Sequence, residues 1–173
     1  MLQSSQIIPL NIAVLTVSDT RQLDNDVSGQ TLIDGLTAAG HQLYDRQLVP
    51  DNIYQIRAVL SQWIVDSHIH VIITTGGTGV TGRDGSPEAI APLLDKQLDG
   101  FGEVFRALSY QEIKTSTIQS RALAGVANAT YIFCLPGSAS ACRTAWDNLI
   151  KAQLDNRTKP CNLVQLIPRL MEQ

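Results

Sequence analysis

Two carboxylates in this chain stand where they could do chemistry. Asp51 follows the apolar stretch that ends at Val49, and Asp84 closes the glycine-rich stretch that begins Gly76-Gly77-Thr78-Gly79. Two carboxylates at one rim suit Mg²⁺, which takes few protein carboxylates and completes its shell with substrate phosphate oxygens and water. Glycines lack a Cβ, so successive backbone N–H groups can turn inward as a nest for phosphate or another anion. Taken singly, Asp51 could cap a helix, Asp84 could serve a turn, and the glycines could form a tight turn with no ligand. Taken together, they put a metal–phosphate site on an even footing with these structural readings.

The same stretch of chain bears on other chemistry as well. Gly77 to Gly82 matches G-x-G-x-x-G and follows an apolar run, the pattern of a nicotinamide dinucleotide site. Against it, the next helix begins only at Ser86-Pro87, and Asp99, the next candidate acid, follows a helix rather than a strand. A Walker-type loop needs a lysine after its glycines, and none follows here. His68 and His70 have a possible ligand spacing but no third ligand nearby, so they read as polar residues at a strand entry. No Ser/His/Asp triad can be assembled. Cys134, Cys142 and Cys161 are odd in number and form no C-x-x-C pair. That argues against a disulfide framework or a cysteine zinc site and fits a reducing, cytoplasmic setting.

The elements that must position these residues alternate in type. Leu10 to Val17 is a short apolar run that reads as a buried strand, ending at Ser18-Asp19-Thr20. Ser28 is placed to cap a helix running to about Ala39, with Gly40 as its stop. His41 to Val49 reads as a second strand. A helix with Ile53, Ile56, Leu60, Trp63 and Ile64 inward follows it, capped by Asn52 or Asp51. Ile69 to Thr75 is a buried strand running straight into the glycines. Ser86-Pro87 opens a third helix that Pro92 should kink or shorten. Gly100-Phe101-Gly102 reads as a turn before a helix carrying Val104, Phe105 and Leu108. Leu123 to Ala127 and Thr130 to Leu135 read as strands, and Pro136-Gly137-Ser138 leads into a last helix with Cys142, Trp146, Leu149 and Ile150 inward.

Strands alternating with helices imply an α/β fold, an open and mostly parallel sheet covered on both faces. Ligands of such sheets bind outside the carboxyl ends of the strands. Ser18-Asp19, Asp51, Gly76 to Asp84 and Pro136 to Ser138 all fall at those ends, so four distant loops should meet at one rim.

The 173 residues suit one domain, and 44% hydrophobic against 17% charged residues is enough to fill a core. The expected organisation is an N-terminal extension over 1–9, an α/β domain over 10–155, and an irregular tail over 156–173 able to pack on a neighbouring subunit. With 13 Lys+Arg against 16 Asp+Glu and a net charge of −3, there is no basic stripe for a nucleic-acid backbone. The N-terminus has no signal-peptide pattern, and no apolar run approaches the roughly 18 residues of a membrane span.

These residues resemble the molybdenum cofactor biosynthesis proteins of the MogA/MoaB type, related to molybdopterin adenylyltransferase domains of plants and animals. The resemblance rests on Leu15-Thr16-Val17-Ser18-Asp19, Ile73 to Gly79 with Asp84 and Pro87-Glu88, Gly100 to Glu103, Ser120-Arg121 and Leu135 to Ser138. The segment Arg157 to Asn162 is similar to the MoaB branch in particular. The resemblance implies a three-layer α/β sandwich that binds molybdopterin and assembles as a homotrimer or homohexamer. In the adenylyltransferase members, the molybdopterin phosphate attacks the α-phosphate of Mg²⁺-ATP and releases pyrophosphate, ahead of molybdenum insertion by a partner enzyme. The family's two catalytic, metal-holding aspartates fall on Asp51 and Asp84. Its pterin- and nucleotide-binding loops fall on Ser18, Asp19, Gly76, Gly77, Thr78, Gly79, Pro136, Gly137 and Ser138. Arg83 and Arg121 are further cations without an assigned place. Some members of the MoaB branch depart from the pattern at the position of Asp51, whereas this chain keeps Pro50-Asp51 as the active type does. The rival expectations are a non-catalytic molybdopterin carrier of the same fold and, more remotely, a nicotinamide-dependent oxidoreductase.

Overall fold

The computed structural model describes residues 6–172, so residues 1–5 of the expected extension and Gln173 lie outside the described residues. Six strands form one sheet: β1 (Asn11–Val17), β2 (Gln42–Val49), β3 (Val71–Thr75), β4 (Lys96–Gln97), β5 (Leu123–Ala127) and β6 (Thr130–Leu135). Their spatial order is β2-β1-β3-β6-β5-β4. The pairs β2–β1, β1–β3 and β3–β6 are parallel, while β5 runs antiparallel to both β6 and β4. Asn128 and Ala129, both at positive φ, turn β5 into β6 as a hairpin.

Side-chain alternation along the strands divides the core into two layers. On one face Ile12, Val14, Val71, Ile73, Tyr131, Phe133 and Leu135 pack with Leu32, Leu36, Phe105, Cys142 and Trp146. These partners come from α1 (Val27–Ala38), α4 (Asp99–Ile113), α5 (Ala139–Ala145) and the turn Trp146–Ile150 that continues it. On the other face Ala13, Leu15, Val17, Ile72, Ile132 and Cys134 pack with Ile56, Leu60, Trp63, Ala89 and Ile90, from α2 (Ile53–Ile64) and α3 (Ser86–Ile90). This is a three-layer α/β fold with a mostly parallel sheet. A strand buried on both sides has no polar face, which is why β1, β3 and β6 read as continuous apolar runs.

Four local details depart from, or refine, the sequence reading. The cap of α1 is Asp26, which accepts the Gly29 N–H, and not Ser28, which lies within the helix. Asn52 caps α2 by accepting from the N–H groups of Tyr54 and Gln55, which leaves Asp51 free for other work. Gly100, Phe101 and Gly102 lie inside the first turn of α4. Two helical glycines cost about 1 kcal/mol each relative to alanine, and the burial that offsets this is visible: the Phe101 ring meets Phe133 edge-on at 5.2 Å. Pro92 acts as expected, since α3 stops at Ile90 and a single 3₁₀ turn follows.

The segment after Asp155 folds back onto its own domain. Val164 is buried in the first core layer with Leu163, Ile167 and Leu170 against it, and the Tyr131 hydroxyl donates to the Leu163 carbonyl at 3.0 Å. Among the described residues, no helix is long and apolar enough to cross a membrane.

Candidate functional site

The carboxyl ends of the parallel strands are tied together by short hydrogen bonds. The Ser18 N–H donates to the Val49 carbonyl at 2.9 Å, and the Gly76 N–H donates to the Leu135 carbonyl at 3.0 Å. The Thr75 hydroxyl donates to the Pro136 carbonyl at 2.9 Å. The four loops predicted to meet therefore do meet.

Gly76 and Gly77 take φ of +104° and +65°. A Cβ on Gly76 would stand 2.1 Å from the Val17 carbonyl oxygen, so only glycine lets β3 leave the sheet at this point. The turn is then sealed from α3, with the Ser86 hydroxyl donating to the Gly76 carbonyl at 2.8 Å and the Ser86 N–H to the Gly77 carbonyl at 2.9 Å. With the carbonyls engaged, the N–H groups of Gly77 and Thr78 have no protein acceptor among the described residues. That is the arrangement of an anion nest.

The loop from Gly77 to Asp84 forms a ridge between two clefts. One, of about 820 Å³, is lined by Asp51, Tyr54, Arg83, Asp84, Glu88 and Arg121 among others. The other, of about 510 Å³, holds Ser18, Arg21, Gly76 to Gly79, Pro136 to Ser138 and again Asp84. Asp84 thus faces both clefts, Asp51 faces the first, and Asp19 lines neither. Asp19 braces the rim: its Oδ1 accepts the Asp51 N–H at 3.1 Å, and its other oxygen pairs with Arg83.

The two predicted carboxylates differ in environment. Burial is the largest influence on Asp51 and raises its pKa, the Gly85 N–H at 3.1 Å opposes this, and the nearby charges of Asp84 and Asp19 raise it further. Asp84 is held below the usual carboxylate range, first by the Thr81 hydroxyl at 2.6 Å; desolvation, the next largest influence, opposes this, and the backbone of Thr81 and Gly79 and the charge of Arg121 lower it further. Negative charge therefore accumulates at this corner, and a divalent cation between Asp51 and Asp84 would relieve it. Among the described residues no group of three or more His, Cys, Asp or Glu is arranged to hold a metal. A cation here would take two protein carboxylates and find its remaining ligands on phosphate and water, which fits Mg²⁺ rather than zinc.

Residues without a motif complete the second cleft. Arg21 lies in it, with its guanidinium 2.6 Å from the Ser28 hydroxyl and 3.9 Å from the buried Asp26. Phe105, Ser109 and Ile113 of α4, with Ser116 and Gln119 beyond it, form the far wall beside Ser120 of the Ser120-Arg121 motif. Polar residues on an exposed helix end carry no sequence signal that separates a cleft wall from a solvated face. The N-terminus of α5, capped by the Ser138 side chain accepting from the Ala141 N–H at 3.1 Å, opens onto the same space.

The remaining candidates have structural places. Gly82 has nothing within 4 Å of where a Cβ would be, so it makes none of the close helix–strand contact that the third glycine of a dinucleotide motif provides. His70 accepts the Asn11 N–H at 3.0 Å and His68 pairs with Asp66, each on its own partner. Cys134 is fully buried in the core and Cys161 is exposed.

Comparison with known proteins places this geometry in company. Residues 13–156 match the family model described as "Probable molybdopterin binding domain". The chain is 55% identical over 159 residues to Molybdenum cofactor biosynthesis protein B of Escherichia coli K12, spanning 92% of this chain and 94% of that protein. A crystal structure of a Molybdenum cofactor biosynthesis protein B superposes with a TM-score of 0.86 at 35% identity, covering 96% of this chain and 98% of the other. The structure of the tungsten cofactor synthesizing protein MoaB from Pyrococcus furiosus superposes with a TM-score of 0.73 at 37% identity, over 80% and 89% of the two chains.

Proposed function

Since the chain belongs to the molybdopterin-binding domain family, on the MoaB branch of molybdenum cofactor biosynthesis proteins, we propose that it adenylylates molybdopterin with Mg²⁺-ATP. The observation that carries the reading is the pair of adjoining clefts that share Asp84. Two phosphorylated substrates lying in separate clefts would bring their phosphates together at that residue. The terminal phosphate oxygen of molybdopterin attacks the α-phosphorus of ATP. One P–O bond forms, the bond to the β-phosphate oxygen breaks, and pyrophosphate leaves.

Such a transfer needs positioning and charge compensation more than covalent catalysis. Free N–H groups of the Gly77–Thr78 nest and the capped N-terminus of α5 supply fixed donors for phosphate oxygens. Arg21 adds a cation in the second cleft. Asp51 and Asp84 are the residues that would hold Mg²⁺, whose chemistry is to offset the charge of the phosphates brought into contact. Asp19 keeps the Asp51 backbone in place without entering either cleft.

Assembly as a homotrimer or homohexamer and delivery of the product to a molybdenum-insertion enzyme belong to the same proposal. Val104, Tyr110, Ile113 and Ile118, each about half exposed or more along α4 and the turn after it, support a face that another subunit covers. Light scattering should give a mass of three or six times 18.8 kDa, and a monomer would sink the assembly.

The deciding experiment is pyrophosphate release from ATP and Mg²⁺, with and without molybdopterin, for the wild type and Asp84→Ala. Release that requires molybdopterin and vanishes in the variant is expected. Tight molybdopterin binding without release would favour the carrier reading instead.

A further inference from the structure

Arg121, one of the two cations the sequence left without a place, divides its guanidinium between the ridge that separates the clefts and α3. Its Nε donates to the carbonyls of Thr78 at 3.3 Å and Gly79 at 2.8 Å. One terminal nitrogen donates to the Asp84 carbonyl at 3.1 Å, and the other pairs with Glu88 at the start of α3. The Asp84 carboxylate in turn receives the Thr81 N–H at 2.9 Å and the Thr81 hydroxyl at 2.6 Å.

The ridge is therefore held from two sides: Arg121 fixes the carbonyls of Thr78, Gly79 and Asp84, while the Asp84 carboxylate fixes Thr81 from within the loop. The Asp84 backbone is tied to the same guanidinium, so the side chain has little freedom to leave the junction. Glu88 completes the frame by tying Arg121 to α3, and Arg57 holds the backbone there, donating to the carbonyls of Glu88 at 2.8 Å and Ala89 at 3.2 Å. A lysine could reach one of these acceptors but could not present donors to all of them, because an ammonium is a point charge without the planar fork.

We propose that Arg121 is a positioning residue for the transfer centre, holding the Thr78–Asp84 ridge in the conformation that presents Asp84 to both clefts. It acts through Asp84 and touches no reacting atom. The proposal rests on the adenylyl-transfer reading for its kinetic consequence, while its structural consequence stands apart from that reading.

The test uses the full chain as wild type, Arg121→Ala and Arg121→Lys, each checked for folding by circular dichroism. In Arg121→Ala the kcat for molybdopterin-dependent pyrophosphate release should fall about 100-fold, the scale of a small misplacement of a reacting group, with KM for ATP little changed. Added guanidinium ion should recover part of that loss, and Arg121→Lys should stay nearly as slow as the alanine variant. Amide hydrogen exchange is the second readout: the Thr81 N–H, which donates to Asp84, should lose protection in both variants, and guanidinium should restore it in the alanine one. A wild type that releases no pyrophosphate would remove the adenylyl-transfer reading, and the exchange data would still decide what Arg121 does. Unchanged exchange at Thr81, full activity in the lysine variant, or a loss confined to KM would overturn the proposal. Should the alanine variant fail to fold, the lysine variant decides by the same two readouts.

Discussion

The N–H of Asp51 donates to Oδ1 of Asp19 at 3.1 Å, which fastens the loop after β2 to the loop after β1. One aspartate thus positions the backbone of the other while its negative charge opposes ionisation of the other's side chain. Asp51 sits with a folded-state pKa above its ordinary value, through burial first and through Asp84 and Asp19 after it.

The sign of the resulting pH dependence follows directly. A carboxyl whose folded pKa exceeds its unfolded value contributes stability that is fully present below the unfolded value and is lost as pH rises through the folded one. At neutral pH, Asp51 is therefore a cost to the fold. Asp51→Asn keeps an oxygen for the Gly85 N–H and removes the charge, so its Tm should rise by a few degrees at pH 7 and by nothing near pH 3. Molybdopterin-dependent pyrophosphate release should be abolished in the same variant. Thermal melts at the two pH values, alongside the assay, check both halves. A lower Tm at pH 7 would mean that the charge of Asp51 is already compensated.

Asp26 makes the opposite prediction. Its side chain is fully buried, and burial alone would raise its pKa, but bonds from the Thr16 hydroxyl at 2.6 Å, the Gly29 N–H at 3.0 Å, Arg46 at 3.1 Å and the Ser28 hydroxyl at 3.2 Å together lower it. Its contribution is present above the unfolded value and lost as pH falls through the depressed folded one. Asp26→Ala strands Arg46 and uncaps α1, and should cost roughly 3 kcal/mol at pH 7, the usual scale for one partner lost from a buried ion pair. Urea titrations at pH 7 and pH 3 should show the gap between variant and wild type narrowing in acid. A constant gap would place the effect in the lost packing of the side chain instead.

The contrast between these two aspartates also marks what was legible in the sequence. That Asp51 and Asp84 line one cleft could be read because strand ends converge in a parallel sheet, a rule of topology that needs only the order of elements. The apolar runs of β1, β3 and β6 gave the sheet for the same reason, since burial on both faces leaves a continuous signature. Asp26 was missed because Ser28 has equal standing as a cap by residue type, and the choice turns on Thr16 in another element. The helical placement of Gly100 and Gly102 was hidden likewise, because the compensation lies in the packing of Phe101 on Phe133. Arg121 could be named from its motif but not placed. Its acceptors are backbone carbonyls roughly forty residues away, and carbonyl directions are not written in residue types.

Arg21 supplies a prediction about binding rather than folding. Its side chain is 36% exposed in the second cleft, steadied from behind by Ser28 and at longer range by Asp26. A charge-assisted bond to a phosphate contributes about 1.5–3 kcal/mol, so Arg21→Ala should weaken molybdopterin binding by about tenfold to a hundredfold. The difference should shrink as salt is raised, because a partly exposed cation is screened. Fluorescence titrations at low and high ionic strength test this. Equal affinity of variant and wild type in low salt would remove Arg21 from the site.

The two glycines of the turn should separate stability from activity. At Gly76 an added Cβ meets the Val17 carbonyl oxygen at 2.1 Å, a backbone atom that cannot move without disturbing β1, and φ of +104° is strained for any other residue. Gly76→Ala should therefore lose stability beyond the roughly 1–2 kcal/mol of a left-handed alanine alone. At Gly77 the φ of +65° is one that L-residues tolerate at modest cost, and the obstructing atoms are the Ser86 hydroxyl at 2.4 Å and Asp51 Oδ2 at 2.7 Å. Asp51 is the carboxylate proposed to hold Mg²⁺, and the Ser86 hydroxyl also holds the Gly76 carbonyl, so moving it costs that bond. Gly77→Ala should therefore lose less stability than Gly76→Ala, whose obstruction is backbone, and still lose pyrophosphate release, because the methyl group pushes Asp51 from its place. Melting curves and the release assay on the two variants decide the matter. If Gly77→Ala were as active as wild type, Asp51 would not need its present position, and the role given to that carboxylate would fall.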